Sequence, residues 1–228
     1  MELTDVLLDR MIAFIPVLLS LTVHEWAHAW TAWRLGDDTA KMMGRVSLNP
    51  LDHMDPVGTF LLPLLGVPFG WAKPVPVNPT RFHPNVNMRL GILSVAAAGP
   101  ISNLILAVLG LIALGAMSHF SAGAVVAPDS ATSAAGLIQL LQVFITINIL
   151  LALFNLLPIP PLDGSQIADS LMPEDLRPYW TQFASLGPLL LAAVILMPAF
   201  LGFSLFAWPL TWVHRLLSWV TGGLGVVD

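Results

Sequence analysis

The run from Val6 to Trp33, VLLDRMIAFIPVLLSLTVHEWAHAWTAW, decides how this chain is read. A helix across a bilayer needs roughly 20 apolar residues, and this run supplies them. Its second half nevertheless carries His24, Glu25 and His28. Ionisable side chains inside a lipid-embedded helix are costly and mark function by default. His24 and His28 project from one helix face, so both imidazoles can share one tetrahedral zinc at about 2.0–2.1 Å. Glu25 is turned by about 100° from His24 and adjoins that face. It can reach a water at the metal without being a ligand, and can act as general base. The plain alternative is a pair of core histidines bonded to other helices beside a protonated Glu25. That would bury three costly groups without compensation.

The composition agrees with lipid as the surrounding medium. Of 228 residues, 56% are hydrophobic and only 10% charged, and the mean hydropathy is +0.79. Soluble domains carry about 25% charge, so an ordinary soluble domain, a disordered chain and a nucleic-acid binder are all excluded. The net charge of −5 says less than where the charges lie. There is no cysteine, so no disulfide staples the fold and any metal must be held by His, Asp or Glu.

Outward from the first run, the expected architecture is an all-α polytopic membrane protein forming a single domain over residues 1–228. About four transmembrane helices are expected, near 6–33, 88–117, 136–157 and 183–206. The acids Glu2, Asp5 and Asp9 and the lack of a cleavage site make the first a retained helix and not a signal peptide. Pro188 and Pro198 predict kinks in the fourth. The tryptophan-rich stretch 208–220 reads as an interfacial helix. The run 57–69, broken by Pro63, Gly66 and Pro68, is too short to cross and is a re-entrant or interfacial candidate.

Six cations lie between Arg34 and Arg89, and none between Ser118 and Ala135. The positive-inside rule then makes the first segment and the loop 158–182 cytoplasmic, and the loop 118–135 external. The first segment repeats itself weakly, with Val46-Ser47-Leu48-Asn49-Pro50 echoed by Val75-Pro76-Val77-Asn78-Pro79. Both predict short extended pieces ending in an Asn-Pro turn, a small membrane-associated β element. Pro74 and Pro76 leave one edge unable to pair and the Val75/Val77 edge able to. This is either a loop protected against aggregation or an edge that holds an extended peptide.

A catalytic zinc takes three protein ligands and keeps a position open. His53, Asp52, Asp55, His83, Asp163 and Asp169 are candidates for the third. Asp163 stands out because it follows a proline-broken helix end in Asn155-Leu156-Leu157-Pro158-Ile159-Pro160-Pro161-Leu162-Asp163-Gly164. Its carboxylate is expected on irregular backbone at membrane depth, which is tolerated where it lines a cavity. Asn103 is a polar residue within an apolar span. Its amide is suited either to an oxyanion or to a helix–helix hydrogen bond. His53 is either a solvated loop histidine or a residue lining the cavity.

These motifs together resemble the site-2 protease family of intramembrane zinc metalloproteases. The match runs through His24-Glu25-Trp26-Ala27-His28, Gly44-Arg45-Val46-Ser47-Leu48-Asn49-Pro50, His53, Asp55-Pro56-Val57-Gly58-Thr59, the segment 70–79, Ala98-Gly99-Pro100-Ile101-Ser102-Asn103 and Leu162-Asp163-Gly164. The resemblance implies His24, His28 and Asp163 as zinc ligands, Glu25 as catalytic acid/base, and Asn103 near the scissile carbonyl. It implies cleavage of transmembrane protein substrates within or near the bilayer. The expected location is the cell membrane of a prokaryote, with the active site toward the cytoplasm. No stretch is long enough for a PDZ or CBS module, as in the core-only branch. The rival classes are an intramembrane metal or ion transporter and a proteolytically inactive membrane-binding protein. Transport favours repeated halves and spread sites, and an intact Glu25 argues against the inactive form.

Overall fold

A computed structural model describes the backbone of residues 3–61, 72–123, 128–201 and 205–222, with side chains over 14–58, 72–119, 136–197 and 205–222. The helices are α1 (Leu3–Arg34), α2 (Thr39–Met42), α3 (Pro50–His53), α4 (Met88–Gly123), α5 (Pro128–Asn155), α6 (Asp163–Leu171), α7 (Arg177–Ser185), α8 (Gly187–Leu201) and α9 (Ala207–Val220). Single turns at Pro56–Leu61, Pro79–Arg81 and Glu174–Leu176 punctuate the loops. The all-helical expectation holds for the described residues.

Helix α4 is the centre of the bundle, packed against α1, α5 and α6. Its pattern is that of a helix in lipid. Ile101, Leu104, Ile105, Val108, Leu109 and Ile112 form an exposed apolar stripe, while Ala96, Asn103, Ala107 and Leu114 are buried. Small inward residues let helices approach closely. A Cβ at Gly110, for instance, would lie 2.7 Å from Ile145 Cγ1 of α5. At one end α9 buries Val213 and Leu217 against Leu114 and Ile145, and turns Trp208, Trp212 and Trp219 outward. That two-faced arrangement suits the interfacial role expected of 208–220.

Among the described residues, two helices are long and apolar enough to cross a membrane, over Met88–His119 and Gly136–Asn155. A third crossing exists if the bent pair Glu174–Ser185 and Gly187–Met197 is one span. Together with the apolar helices, this makes the chain a membrane protein of at least this many candidate spans. The expected span 183–206 is matched only in part. Its first residues belong to α7, and α7 and α8 meet at 56° across Leu186. The bend falls at the expected Pro188, which has no N–H to give Ala184 and whose ring crowds that carbonyl. The expected external loop is shorter than the range 118–135, since α4 continues to Gly123 and Pro128 opens α5. The run 57–69 lies outside the described residues beyond 61.

No β-strand occurs among the described residues, so the expected β element is not seen. Residues 72–78 carry no regular secondary structure, with Asn78 extended, and spend backbone groups elsewhere. Lys73 N–H donates to the His53 carbonyl (2.9 Å), and Arg45 donates to the Lys73 carbonyl. Val75 N–H donates to Glu25 Oε2 (3.2 Å) and Asn78 N–H to Asp37 Oδ2 (2.6 Å). A strand needs a neighbouring backbone that pairs in a ladder, and this segment has one backbone bond at Lys73 and side chains at its other described contacts.

Candidate metal centre

Ser20, His24 and His28 follow one another along the buried face of α1, against α4. The two imidazoles point their Nε2 atoms at each other, 3.1 Å apart. Asp163 Oδ2 completes a triangle, 3.1 Å from His24 Nε2 and 3.3 Å from His28 Nε2. Among the described residues these three form the one group able to hold a metal ion.

The hydrogen bonds around the triangle settle where its protons are. His28 Nδ1 lies 2.7 Å from the Val95 carbonyl, which can only accept. His24 Nδ1 lies 2.6 Å from Asn103 Oδ1. Each imidazole therefore carries a proton on Nδ1, and in the neutral ring its Nε2 is left with a lone pair. Two lone pairs and a carboxylate oxygen with no donor of its own converge on one point. Tetrahedral zinc spaces its ligand atoms about 3.3 Å apart, and two imidazoles with one carboxylate are a donor set it takes. The residues present fit the ion. Room for it comes from Gly99 of α4, where a Cβ would meet His28 Nε2 at 2.4 Å and His24 Nε2 at 2.7 Å.

Local sequence explains how Asp163 arrives there. Pro158, Pro160 and Pro161 stop α5 and turn the chain. Gly164 then packs onto the end of α5 so closely that a Cβ would lie 2.3 Å from the Leu156 carbonyl oxygen and 2.4 Å from that of Leu157. Asp163 is not on irregular backbone, as the sequence suggests. It is the first residue of α6, where the helix dipole favours a carboxylate.

Glu25 lies outside the ligand group, on the adjoining face of α1. Its only described hydrogen-bond donor is Val75 N–H, which brings segment 72–78 to the carboxylate. The other end of that segment is held by Asp37, a fully buried residue just past α1. Asp37 accepts from Thr39 N–H (3.0 Å) and Thr39 Oγ1 (2.5 Å) as well as from Asn78. Sequence reading missed Asp37. Its signal was only that it sits between a glycine and Asp38 in a turn.

The remaining expected ligands stay away from the triangle. His53 is buried, but its Nε2–H donates to the Ser47 carbonyl at 2.7 Å, and its own carbonyl holds Lys73. It is therefore a latch between loops. Asp55 Oδ1 accepts from Val57 and Gly58 N–H. His83 is exposed and gives its backbone N–H to Leu35. Asp169 is 3.9 Å from Arg177, and Asp52 stands in the first turn of α3. Asn103 is fully buried beside the site. Its Nδ2 donates to Asn148 Oδ1 (2.9 Å) and to the Ser20 carbonyl (3.3 Å).

Residues 12–197 match the sequence model of peptidase family M50. Three relatives share the name "Putative zinc metalloprotease". YwhC of Bacillus subtilis (strain 168) is 42% identical over 196 residues, covering 86% of this chain and 84% of its own. Rip2 of Mycobacterium tuberculosis strain H37Rv is 33% identical over 192 residues, covering 84% of this chain and 67% of its own. The Mycolicibacterium smegmatis Rip2 is 35% identical over 148 residues, or 64% of this chain and 52% of its own. No solved structure gives a significant match.

Proposed function

The chain belongs to peptidase family M50, the site-2 protease family of zinc metalloproteases, and we propose that it is an intramembrane endopeptidase of the HExxH type. Zinc would be held by His24, His28 and Asp163. The observation that carries the reading is the convergence of two imidazole lone pairs and one carboxylate oxygen beside Glu25, at distances of 3.1–3.3 Å.

When bound, zinc supplies Lewis acidity for water and for the scissile carbonyl. Glu25 takes a proton from the attacking water at a carboxylate oxygen and returns it to the leaving amine nitrogen. A transmembrane substrate hides its carbonyls in helical hydrogen bonds, so it must unwind locally. Segment 72–78 lies beside Glu25 through Val75. An unwound substrate would pair with its Val75/Val77 edge by taking the Val75 N–H from Glu25, which frees the carboxylate for the water.

In this reading α1 crosses the bilayer together with α4, α5 and the bent α7–α8 pair, four spans in all. The six-to-zero cation count puts Arg34–Arg89 in the cytoplasm. Arg34 over Trp30 (5.6 Å) and Lys41 over Trp33 (4.3 Å) supply the aromatic and cationic belt at that boundary. The active site opens toward the cytoplasmic side of a prokaryotic cell membrane, and the partners are transmembrane proteins and lipid.

The test is cleavage by purified protein in vesicles. A single-span substrate is expected to be cut, more readily with Gly or Pro near the scissile bond. Chelation should stop cleavage, zinc should restore it, and Glu25→Gln should abolish it. Hydrolysis of a short soluble peptide at the same efficiency, with no gain from helix breakers, would contradict an intramembrane substrate.

A further inference from the structure

Behind the metal-facing side of His24 lies a fully buried polar network that the proposed chemistry does not use. It joins Ser20 of α1, Asn103 of α4 and Asn148 of α5. Ser20 Oγ donates to the Pro16 carbonyl (2.6 Å), and so accepts from Asn148 Nδ2 (2.8 Å). Asn148 Nδ2 also donates to the Phe144 carbonyl (2.9 Å). Two of these acceptors are backbone carbonyls, which cannot reverse roles. They fix the Asn148 amide with its NH2 toward Ser20 and Phe144 and its Oδ1 toward Asn103. Asn103 must then present its NH2 to Asn148 Oδ1 (2.9 Å) and to the Ser20 carbonyl (3.3 Å). That leaves Asn103 Oδ1 facing His24 Nδ1 at 2.6 Å, where it can only accept.

The chain of donors thus reads from backbone carbonyls to a ring proton. Asn148 orients Asn103, Asn103 holds the proton on His24 Nδ1, and His24 Nε2 is left with a lone pair. Both Asn103 hydrogens are committed within this network, so it has none to offer a substrate oxyanion in this arrangement. In a span surrounded by lipid an unpaired amide is costly, which keeps the network closed.

We propose that Asn148 and Ser20 are positioning residues of the metal centre, setting the tautomer and ring orientation of His24 through Asn103. This rests on His24 being a zinc ligand. Groups that fix a ligand histidine from behind contribute heavily to metal affinity. Without Asn148 Oδ1 the Asn103 amide is free to turn over, present NH2 to His24 Nδ1, and drive the ring proton onto Nε2.

The experiment measures zinc affinity by chelator competition on purified full-length protein in detergent, together with the visible spectrum of the cobalt-substituted protein. Wild type, Asn148→Leu, Ser20→Ala and Thr146→Leu are compared. Thr146 sits on the same helix, but its hydroxyl bonds only the Gln142 carbonyl (2.8 Å). Asn148→Leu is expected to lose about tenfold or more in zinc affinity, in the range typical of such supporting residues, and to alter the cobalt bands. Ser20→Ala should show a smaller loss in the same direction, and Thr146→Leu should match wild type. If Asn148→Leu does not fold, Ser20→Ala decides. Wild type that takes no zinc sinks the ligand assignment and this proposal with it. Wild type that binds, with both network variants binding equally well and showing unchanged cobalt bands, overturns the proposal alone. An equal loss in Thr146→Leu would also overturn it, since the effect would then be general packing.

Discussion

A methyl group at position 99 would sit 2.4 Å from His28 Nε2 and 2.6 Å from His24 Cε1. Gly99→Ala must therefore push both rings off the point where they converge, while Ala is intrinsically the better helix former by about 1 kcal/mol. The two effects have opposite signs. Zinc affinity is expected to fall at least about tenfold, as when a ligand's support is disturbed. The overpacking cost of about 1–3 kcal/mol, less the helix gain, sets the fall in melting temperature of the metal-free protein. Unchanged affinity in a chelator titration would show that the site has slack the geometry denies. At this scale the sequence was informative where spacing does the work. His24, Glu25 and His28 follow from helix periodicity, and Asp163 from the prolines and glycine around it. Asn148 was open to the rule that singled out Asn103, a polar residue in an apolar span. What one sequence lacks is the rotation of α5 against α4, which decides that these two amides face each other. Gly99 was hidden because glycine in a membrane helix usually reports close packing and nothing more.

At the scale of elements, the segment 72–78 shows where pattern reading stops. Pro74 and Pro76 suggest a strand with one edge unable to pair, but no strand is seen there among the described residues. The partners of the free N–H groups are carboxylates from α1 and its end, Glu25 for Val75 and Asp37 for Asn78. Nothing in the local sequence names partners that distant. The same holds for the bend between α7 and α8, where Pro188 predicts a kink but not its size of 56°. Asp37→Ala would leave the N–H groups of Thr39 and Asn78 without their acceptor, at about 1–3 kcal/mol each if they stay buried. Because Asp37 touches no ligand, this variant is expected to keep its zinc, melt earlier, and lose most of its cleavage as 72–78 drifts from Glu25. Zinc content and cleavage measured on one preparation check it. Full activity at a lowered melting temperature would reduce Asp37 to a stabilising residue.

Across the whole molecule, the site exists only because two remote pieces of chain meet. Helix α1 brings His24 and His28, the start of α6 brings Asp163, and α4 lies against both with no side chain at Gly99. The apolar stripe on α4 faces outward and the polar groups inward, the reverse of a soluble bundle, as 10% charged residues require. The central claim is that Asp163 is the third ligand and Glu25 is not a ligand at all. Zinc per protein after chelator competition tests it most directly, in wild type, Glu25→Gln and Asp163→Asn. Glu25→Gln should hold zinc like wild type. Asp163→Asn keeps a neutral oxygen but loses the charge that counts most in a low-dielectric site, so its zinc should be stripped. Full occupancy in Asp163→Asn, or an empty site in Glu25→Gln, would contradict the account.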